Sequence, residues 1–266
     1  MKSLIDFTAL MLIAFTLSSC NLTSAAGIGS QGQPIKTVGD KITSAMAHSV
    51  VNVDHSPWDK LLKKHVNDAG FVNYRGFKTE QDKLEAYLTY LSKIIPNEEW
   101  SVQELLAYYI NLYNAATVEL ILQNHPIKSI KDINGAFTKN FIKIGDKKLS
   151  LNAIENGVLR KMNEPRIHFA INCASYSCPK LKNEAYTAAK INEQLDAATR
   201  EFINSDLNEI TPNNPKFSRI FSFYTSDFKV DGKKDLIGFI NKYSNIKMNP
   251  KTRYTFKKYN WSLNEQ

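Results

Sequence analysis

The sequence is short of cysteine, glycine and proline, and each shortage removes a class of protein. Three cysteines in 266 residues are too few for a disulfide framework. Eleven glycines and nine prolines exclude collagen-like repeats and Pro/Gly-rich linker chains. Acidic residues are also outnumbered, 26 against 34 Lys and Arg, for a formal charge of +8. The excess lysines are spread in pairs (Lys63-Lys64, Lys147-Lys148, Lys233-Lys234, Lys257-Lys258). Without a clustered basic stripe, no nucleic-acid partner is expected. Internal repeats are missing too. What is present is 43% hydrophobic and 11% aromatic residues, enough apolar surface to offset the chain entropy of folding.

The first cysteine belongs to the N-terminal segment. Lys2 precedes an apolar run from Phe7 to Leu17, shorter than the roughly 20 residues that span a bilayer but suited to a secretory signal. It ends Leu17-Ser18-Ser19-Cys20, which resembles a bacterial lipoprotein signal, with an acidic Asp6 as its one departure. The expectation is a signal peptide over residues 1–19, lipidation at Cys20, and an exported protein held to the cell envelope by lipid. Residues 20–50, rich in Ser, Gly, Ala and Thr, read as a flexible tether. Residues 51–266 have an even texture and read as one globular domain.

Apolar spacing predicts helices around Trp58–Val66, Thr79–Ile94, Ser101–Asn124, Ala153–Arg160, Thr187–Asn204 and Lys234–Tyr243. The run from Ser101 is apolar nearly all round, which marks a buried central helix; Ser101 with Glu104 has capping-box spacing. Alternation on both sides of Gly145-Asp146 predicts a hairpin. Arg166–Cys173 and Arg219–Tyr224 read as strands, and the tail Arg253–Trp261 as extended. The fold class is α+β, with helices packed on a small, mainly antiparallel sheet.

Chemistry-bearing residues concentrate in Arg166–Pro179, where His168, Cys173 and Cys178 fall within 14 residues. A thiol and an imidazole are the minimum for thiolate catalysis, and a carboxylate or amide on the far ring nitrogen fixes the tautomer. Glu155, or Asn111 and Asn114 of the central helix, can fill that place. Each also has a plainer reading: Glu155 as the cap partner of Asn152, and the two asparagines as ties between helix and loops. Strand parity opposes the pairing, since 168 and 173 face opposite ways in an unbroken strand. Cys173 and Cys178 can instead form a local disulfide. The C-x4-C spacing with a lone histidine misses zinc patterns; no metal and no cofactor are expected. His48, His55, His65 and His125 read as surface or packing residues.

The elements YYINLYNAATVELIL, LSLNAIENGVLR, RIHFAINCASYSCPKL, QLDAATREFIN, IFSFYTSDF and YNWSLN occur in that order. Together they resemble the bacterial and plant family catalogued as domain of unknown function 547. The resemblance implies a remote relation to papain-like and transglutaminase-like thiol enzymes. It implies a triad of Glu155, His168 and Cys173, with Cys178 as alternative nucleophile and Asn111 in the cleft. Asn156 stands where the family often has histidine.

Two functions follow as expectations. One is a thiol hydrolase or transferase acting on amide or ester bonds. The other is a non-catalytic envelope binding or scaffold module with a Cys173–Cys178 disulfide. In both the partner is an unidentified envelope peptide, protein or polymer. A small-ligand carrier, with a deep apolar pocket, is a third possibility.

Overall fold

The computed structural model describes residues 29–39, 42 and 50–266. The expected signal segment, Cys20 and the rest of the tether lie outside the described residues. Residues 33–38, within the stretch read as tether, bind the folded chain. Gln33 Oε1 accepts from Tyr109 Oη at 3.1 Å, Lys36 Nζ donates to the Trp100 carbonyl at 2.6 Å, and the Val38 N–H donates to the Met162 carbonyl at 2.7 Å. Gly157 permits this approach: a Cβ there would fall 2.7 Å from the Gly29 backbone.

Helix α1, Ser56–His65, has Pro57 in its first turn and buries Trp58, Leu61, Leu62 and His65; the first three belong to the face expected from the apolar spacing, and Val66 caps the helix end. Helix α2, Tyr74–Lys78, is capped by Asn73, and α3 spans Gln81–Lys93. The central helix α4, Val102–Asn124, is buried continuously from Gln103 to Leu122. It is long and apolar enough to cross a membrane, but its most apolar stretch is wholly covered by protein. The Ser101 hydroxyl accepts the Glu104 N–H at 3.1 Å, closing half a capping box. The Glu104 carboxylate turns instead to the Val53 N–H at 2.8 Å, because the preceding chain packs over the helix start.

Strands β1 (Ile142–Ile144) and β2 (Lys147–Leu149) pair antiparallel about Gly145, whose φ of +56° suits glycine. Helix α5, Ile191–Ile203, follows the cysteine segment. Then come β3 (Lys216–Phe217), helix α6 (Ile220–Phe223), β4 (Lys229–Val230), β5 (Lys233–Lys234), helix α7 (Leu236–Tyr243) and β6 (Thr255–Phe256). β4 and β5 pair antiparallel, whereas β3 and β6 pair parallel. The class is α+β, but among the described residues the strands form three separate two-stranded ribbons rather than one small sheet.

Two expected strands are absent. Arg166–Cys173 is a 3-10 turn, Pro165–Phe169, followed by a turn at Ala170 and irregular chain. Pro165 pre-sets the first turn position, and the Glu164 carboxylate takes the Arg166 N–H at 3.0 Å. Arg219–Tyr224 contains helix α6, since adjacent residues Ile220 and Phe221 both bury their side chains, which strand alternation on a one-sided sheet does not allow. The Ala153–Arg160 helix is a π-type turn, Ala153–Val158, running into a 3-10 turn, Leu159–Met162.

The core has two clusters. One surrounds α4; the other gathers Phe169, Phe202, Phe217, Phe221, Phe228 and Phe239. Helix α5 serves both, giving Ile191 and Leu195 to the first and Ala198, Phe202 and Ile203 to the second. The cysteine segment lies at their junction, where Phe169 enters the second cluster and Ile171 the first. Three of the four histidines read as surface or packing residues are described, and each has a side-chain partner. His65 Nε2 meets Glu80 at 2.8 Å and His125 Nε2 meets Glu265 at 2.9 Å. His55 lies against Tyr87 Oη at 2.6 Å, and burial pulls its pKa down to about 4, only partly opposed by Asp54. His48 lies outside the described residues.

Candidate functional site

The two amides of α4 fix the cysteine segment and its surroundings. Asn114 donates to the Ala170 carbonyl at 3.0 Å and accepts the Asn172 N–H at 2.8 Å. Asn111 does the same for Tyr186, at 2.7 and 3.0 Å. Both act as ties between helix and loop, and neither is among the residues lining the cleft described next. Asn172 continues the clamp, accepting the Ala174 N–H at 2.8 Å and donating to the Pro179 carbonyl at 2.7 Å. Between them Ala174 takes φ +59°, a left-handed conformation that costs a non-glycine residue roughly 1–2 kcal/mol. That bend re-aims the chain directly after Cys173.

A 3-10 turn and a left-handed bend replace the strand, so the parity argument against His168 and Cys173 lapses. Both line one cleft of about 200 Å³, together with Glu155, Ile171 and Cys178. Its walls are aromatic, from Tyr113, Phe137, Phe223, Tyr224, Tyr259 and Trp261. A second cleft of about 350 Å³ lies on the other side of Cys178 and Pro179, walled by Phe71, Phe169, Phe202 and Leu207.

His168 is 2% exposed. Its Nε2 lies 2.9 Å from Asp227 Oδ2, and its ring stacks on Tyr224 with centroids 3.9 Å apart. The Nδ1 atom is buried without a hydrogen-bond partner. With Nε2–H donating to Asp227, Nδ1 carries a free lone pair. Asp227 is also gripped by Arg160, whose Nε and Nη2 donate at 2.6 and 2.8 Å. Burial pushes the Asp227 carboxyl up, but hydrogen bonds from Arg160 and His168 outweigh it and hold the group well below the usual carboxylate range. Asn156 has a definite job here: its Oδ1 accepts from Arg160 Nη1 at 2.7 Å, and its amide binds Asn152 Oδ1.

Glu155 is buried in the cleft but is not the carboxylate that holds the imidazole. Its Oε2 accepts from Tyr113 Oη at 3.2 Å, and its Oε1 has no hydrogen-bond partner. Nor does it close a cap, since the Asn152 side chain makes no capping bond and Ser150 Oγ takes the Ala153 N–H instead. Burial first, and then the Glu155 charge, push the Tyr113 and Tyr224 hydroxyls up. Both therefore stay protonated as donors.

Cys173 and Cys178 are free thiols with their sulfurs 2.9 Å apart, well beyond the ~2.05 Å of a bond. The Cys173 N–H donates to Cys178 Sγ at 3.0 Å. Around Cys173 Sγ stand Ser175 Oγ at 3.1 Å and Tyr259 Oη at 3.4 Å, themselves 2.7 Å apart. The hydrogen bond between the two sulfurs lowers the Cys173 pKa, and those with Ser175 and Tyr259 add to it against the opposing effect of burial. Burial pushes the Cys178 thiol up, and its bond to Cys173 pushes it further. The thiol is thus acidified by a second thiol and two hydroxyls, without a hydrogen bond from the imidazole.

Sequence reasoning missed Asp227, Tyr259 and Ser175. Asp227 and Tyr259 stand in the motifs IFSFYTSDF and YNWSLN; the acidic residue of the first and the tyrosine of the second were the only available signal. Among the described residues no cluster of His, Cys, Asp or Glu is arranged to hold a metal ion.

The fold and site define an α+β chain with an acidified thiol and a carboxylate-held imidazole in one aromatic cleft. Residues 97–203 match the model of a family described as "Protein of unknown function, DUF547", which supports that domain family over the stretch. The match takes in Glu155, His168 and both cysteines, and stops short of Asp227 and Tyr259. No curated protein and no solved structure matches the chain.

Proposed function

We propose that this protein is a thiol-dependent hydrolase or acyl transferase acting on amide or ester bonds. The observation that carries the reading is the shared cleft, where an acidified Cys173 and a buried His168 with an unpartnered Nδ1 lie among aromatic walls. In this reading the Cys173 proton passes to the His168 imidazole within the shared cleft, and the sulfur attacks the carbonyl carbon. The C–N or C–O bond breaks, the leaving group takes the proton from His168, and a thioester remains. Water or an acceptor nucleophile then releases the acyl group. Asp227 keeps the imidazole in the tautomer that this needs, and the Tyr259 and Ser175 hydroxyls offer hydrogen bonds to the carbonyl oxygen. Glu155, held by tyrosine, orders the cleft beside the imidazole.

The test uses 4-nitrophenyl acetate as an acyl probe. Intact mass and peptide mapping are expected to find an acetyl thioester on Cys173, formed at least about tenfold faster than on a free thiol. His168→Ala is expected to slow that acylation on the order of 10²-fold with little change in the pH dependence of thiol alkylation, because the acidity comes from Cys178, Ser175 and Tyr259. Acylation no faster than on free cysteine, and indifferent to His168→Ala, defeats the reading. The close approach of the sulfurs favours a second one, a binding module with the pair oxidised. Cysteines that resist alkylation until reduced, together with failed acylation, would assign the protein to it.

The same proposal places the protein at the bacterial cell envelope, anchored through Cys20, with an envelope peptide, protein or polymer as partner. What supports this is the N-terminal pattern ending Leu17-Ser18-Ser19-Cys20. Mass spectrometry of the membrane-fraction protein is expected to show a chain starting at an acylated Cys20. Cys20→Ser should move it to the soluble fraction, and an unmodified Cys20 in the membrane fraction refutes the anchor.

A further inference from the structure

The sulfur pair does more than tune a nucleophile. We infer that Cys173 and Cys178 form a hydroperoxide-reactive dithiol, with Cys173 as the attacking sulfur and Cys178 as the resolving one. The assignment rests on Cys173 being the reactive thiol of the proposed function, but not on any acyl transfer.

The roles follow from position. Cys173 is half-buried and lines the aromatic cleft, whereas Cys178 is buried and lines both clefts. A hydroperoxide entering the aromatic cleft therefore meets Cys173 Sγ beside two hydroxyls, Ser175 Oγ at 3.1 Å and Tyr259 Oη at 3.4 Å. Cys178 Sγ waits 2.9 Å behind it, held by the Cys173 N–H at 3.0 Å. The lowered Cys173 pKa and raised Cys178 pKa keep the thiolate on the first sulfur and the proton on the second.

The chemistry balances. The Cys173 thiolate attacks the terminal oxygen of R–O–O–H, an S–O bond forms, and the O–O bond breaks. The alkoxide leaves and takes a proton through the Tyr259 and Ser175 hydroxyls, giving an alcohol and a Cys173 sulfenic acid. Cys178 sulfur then attacks Cys173 sulfur, its own proton goes to the departing hydroxyl, and water is released. Two thiols lose two electrons, and one peroxide is reduced to alcohol and water. A resolving sulfur in contact outruns a second peroxide, so the sulfenic acid is captured before it becomes sulfinic. The disulfide occupies the sulfur that acyl chemistry needs, so a thiol reductant restores the site.

The test treats the reduced full chain with equimolar hydrogen peroxide. Intact mass should fall by two hydrogens, and peptide mapping should place the bond between Cys173 and Cys178. In Cys178→Ser, dimedone should trap a sulfenic acid on Cys173. In Cys173→Ser, oxidation of Cys178 should be slowed at least about tenfold. Sulfinic acid on Cys173 of the wild type without disulfide, or dimedone on Cys178 in Cys173→Ser at the wild-type rate, overturns the assignment. The wild-type peptide map tests the dithiol even if a variant fails to fold, and the two variants assign the roles. Failure of the acetyl-probe experiment leaves this readout untouched, so the two proposals fail separately.

Discussion

Deleting residues 259–266 is expected to lower the melting temperature by at least about 10 °C and to return the Cys173 thiol toward ordinary reactivity. The segment crosses behind the cysteine loop and carries six backbone hydrogen bonds to the rest of the chain. Tyr176 and Ser177 N–H donate to the Ser262 and Asn260 carbonyls, Asn264 N–H to Ala174, and Leu263 N–H to Lys128. Val72 N–H donates to Asn264, and Gln266 N–H donates back to Val72. At about 0.5–1.5 kcal/mol net each, they amount to about 3–9 kcal/mol, a large share of the 5–15 kcal/mol that stabilises a typical domain. Tyr259 leaves with them, and with it one hydrogen-bond partner of the Cys173 sulfur. Circular-dichroism melting and thiol alkylation against pH read both effects. A truncated chain that melts within a few degrees of the full one would show that the cysteine loop holds its shape without this strap.

Asp227→Ala is expected to cost about 3 kcal/mol, because it leaves Arg160 and His168 without their shared carboxylate. Breaking a buried pair by removing one partner costs about 3–5 kcal/mol. The low end applies because the Asp227 and Arg160 side chains keep 21% and 27% exposure. The carboxyl is held below its ordinary range in the folded protein. Its contribution is therefore complete above the ordinary aspartate value of about 3.9 and is lost as pH falls through the folded-state value. The stability gap between wild type and variant should stay constant from neutral pH down to about 5 and narrow below about 4. Urea unfolding at a series of pH values measures it. A gap under about 1 kcal/mol at neutral pH would mean that the pair behaves as a solvated surface bridge. Acylation of Cys173 is expected to fall in the same variant by on the order of 10²-fold, since nothing then fixes the imidazole tautomer.

Much of the helical framework was readable because its signals are local. The periodic apolar faces of α1 and α3, the all-round apolar texture of α4, the Ser101 cap and the turn at Gly145 each depend on residues a few positions apart. The reading of Arg166–Cys173 as a strand failed for a different reason. β-type composition there reflects burial between two cores, with Phe169 in one and Ile171 in the other, and not a ladder. The same confusion turned Phe221 and its neighbours into a strand.

The site divides in the same way. By itself the sequence determined that a histidine and two thiols lie in one short segment, that a glutamate precedes them, and that two asparagines sit on the central helix. Only the tertiary structure decided which groups those atoms meet. Asp227 lies 59 residues beyond His168 and takes the imidazole that Glu155 was expected to hold. Arg160 reaches the same carboxylate across 67 positions, and Tyr259 reaches the Cys173 sulfur across 86. Hydrogen bonds at such separations are fixed by how two hydrophobic clusters close around the cysteine segment, a sum of many non-directional contacts that no short stretch of sequence encodes.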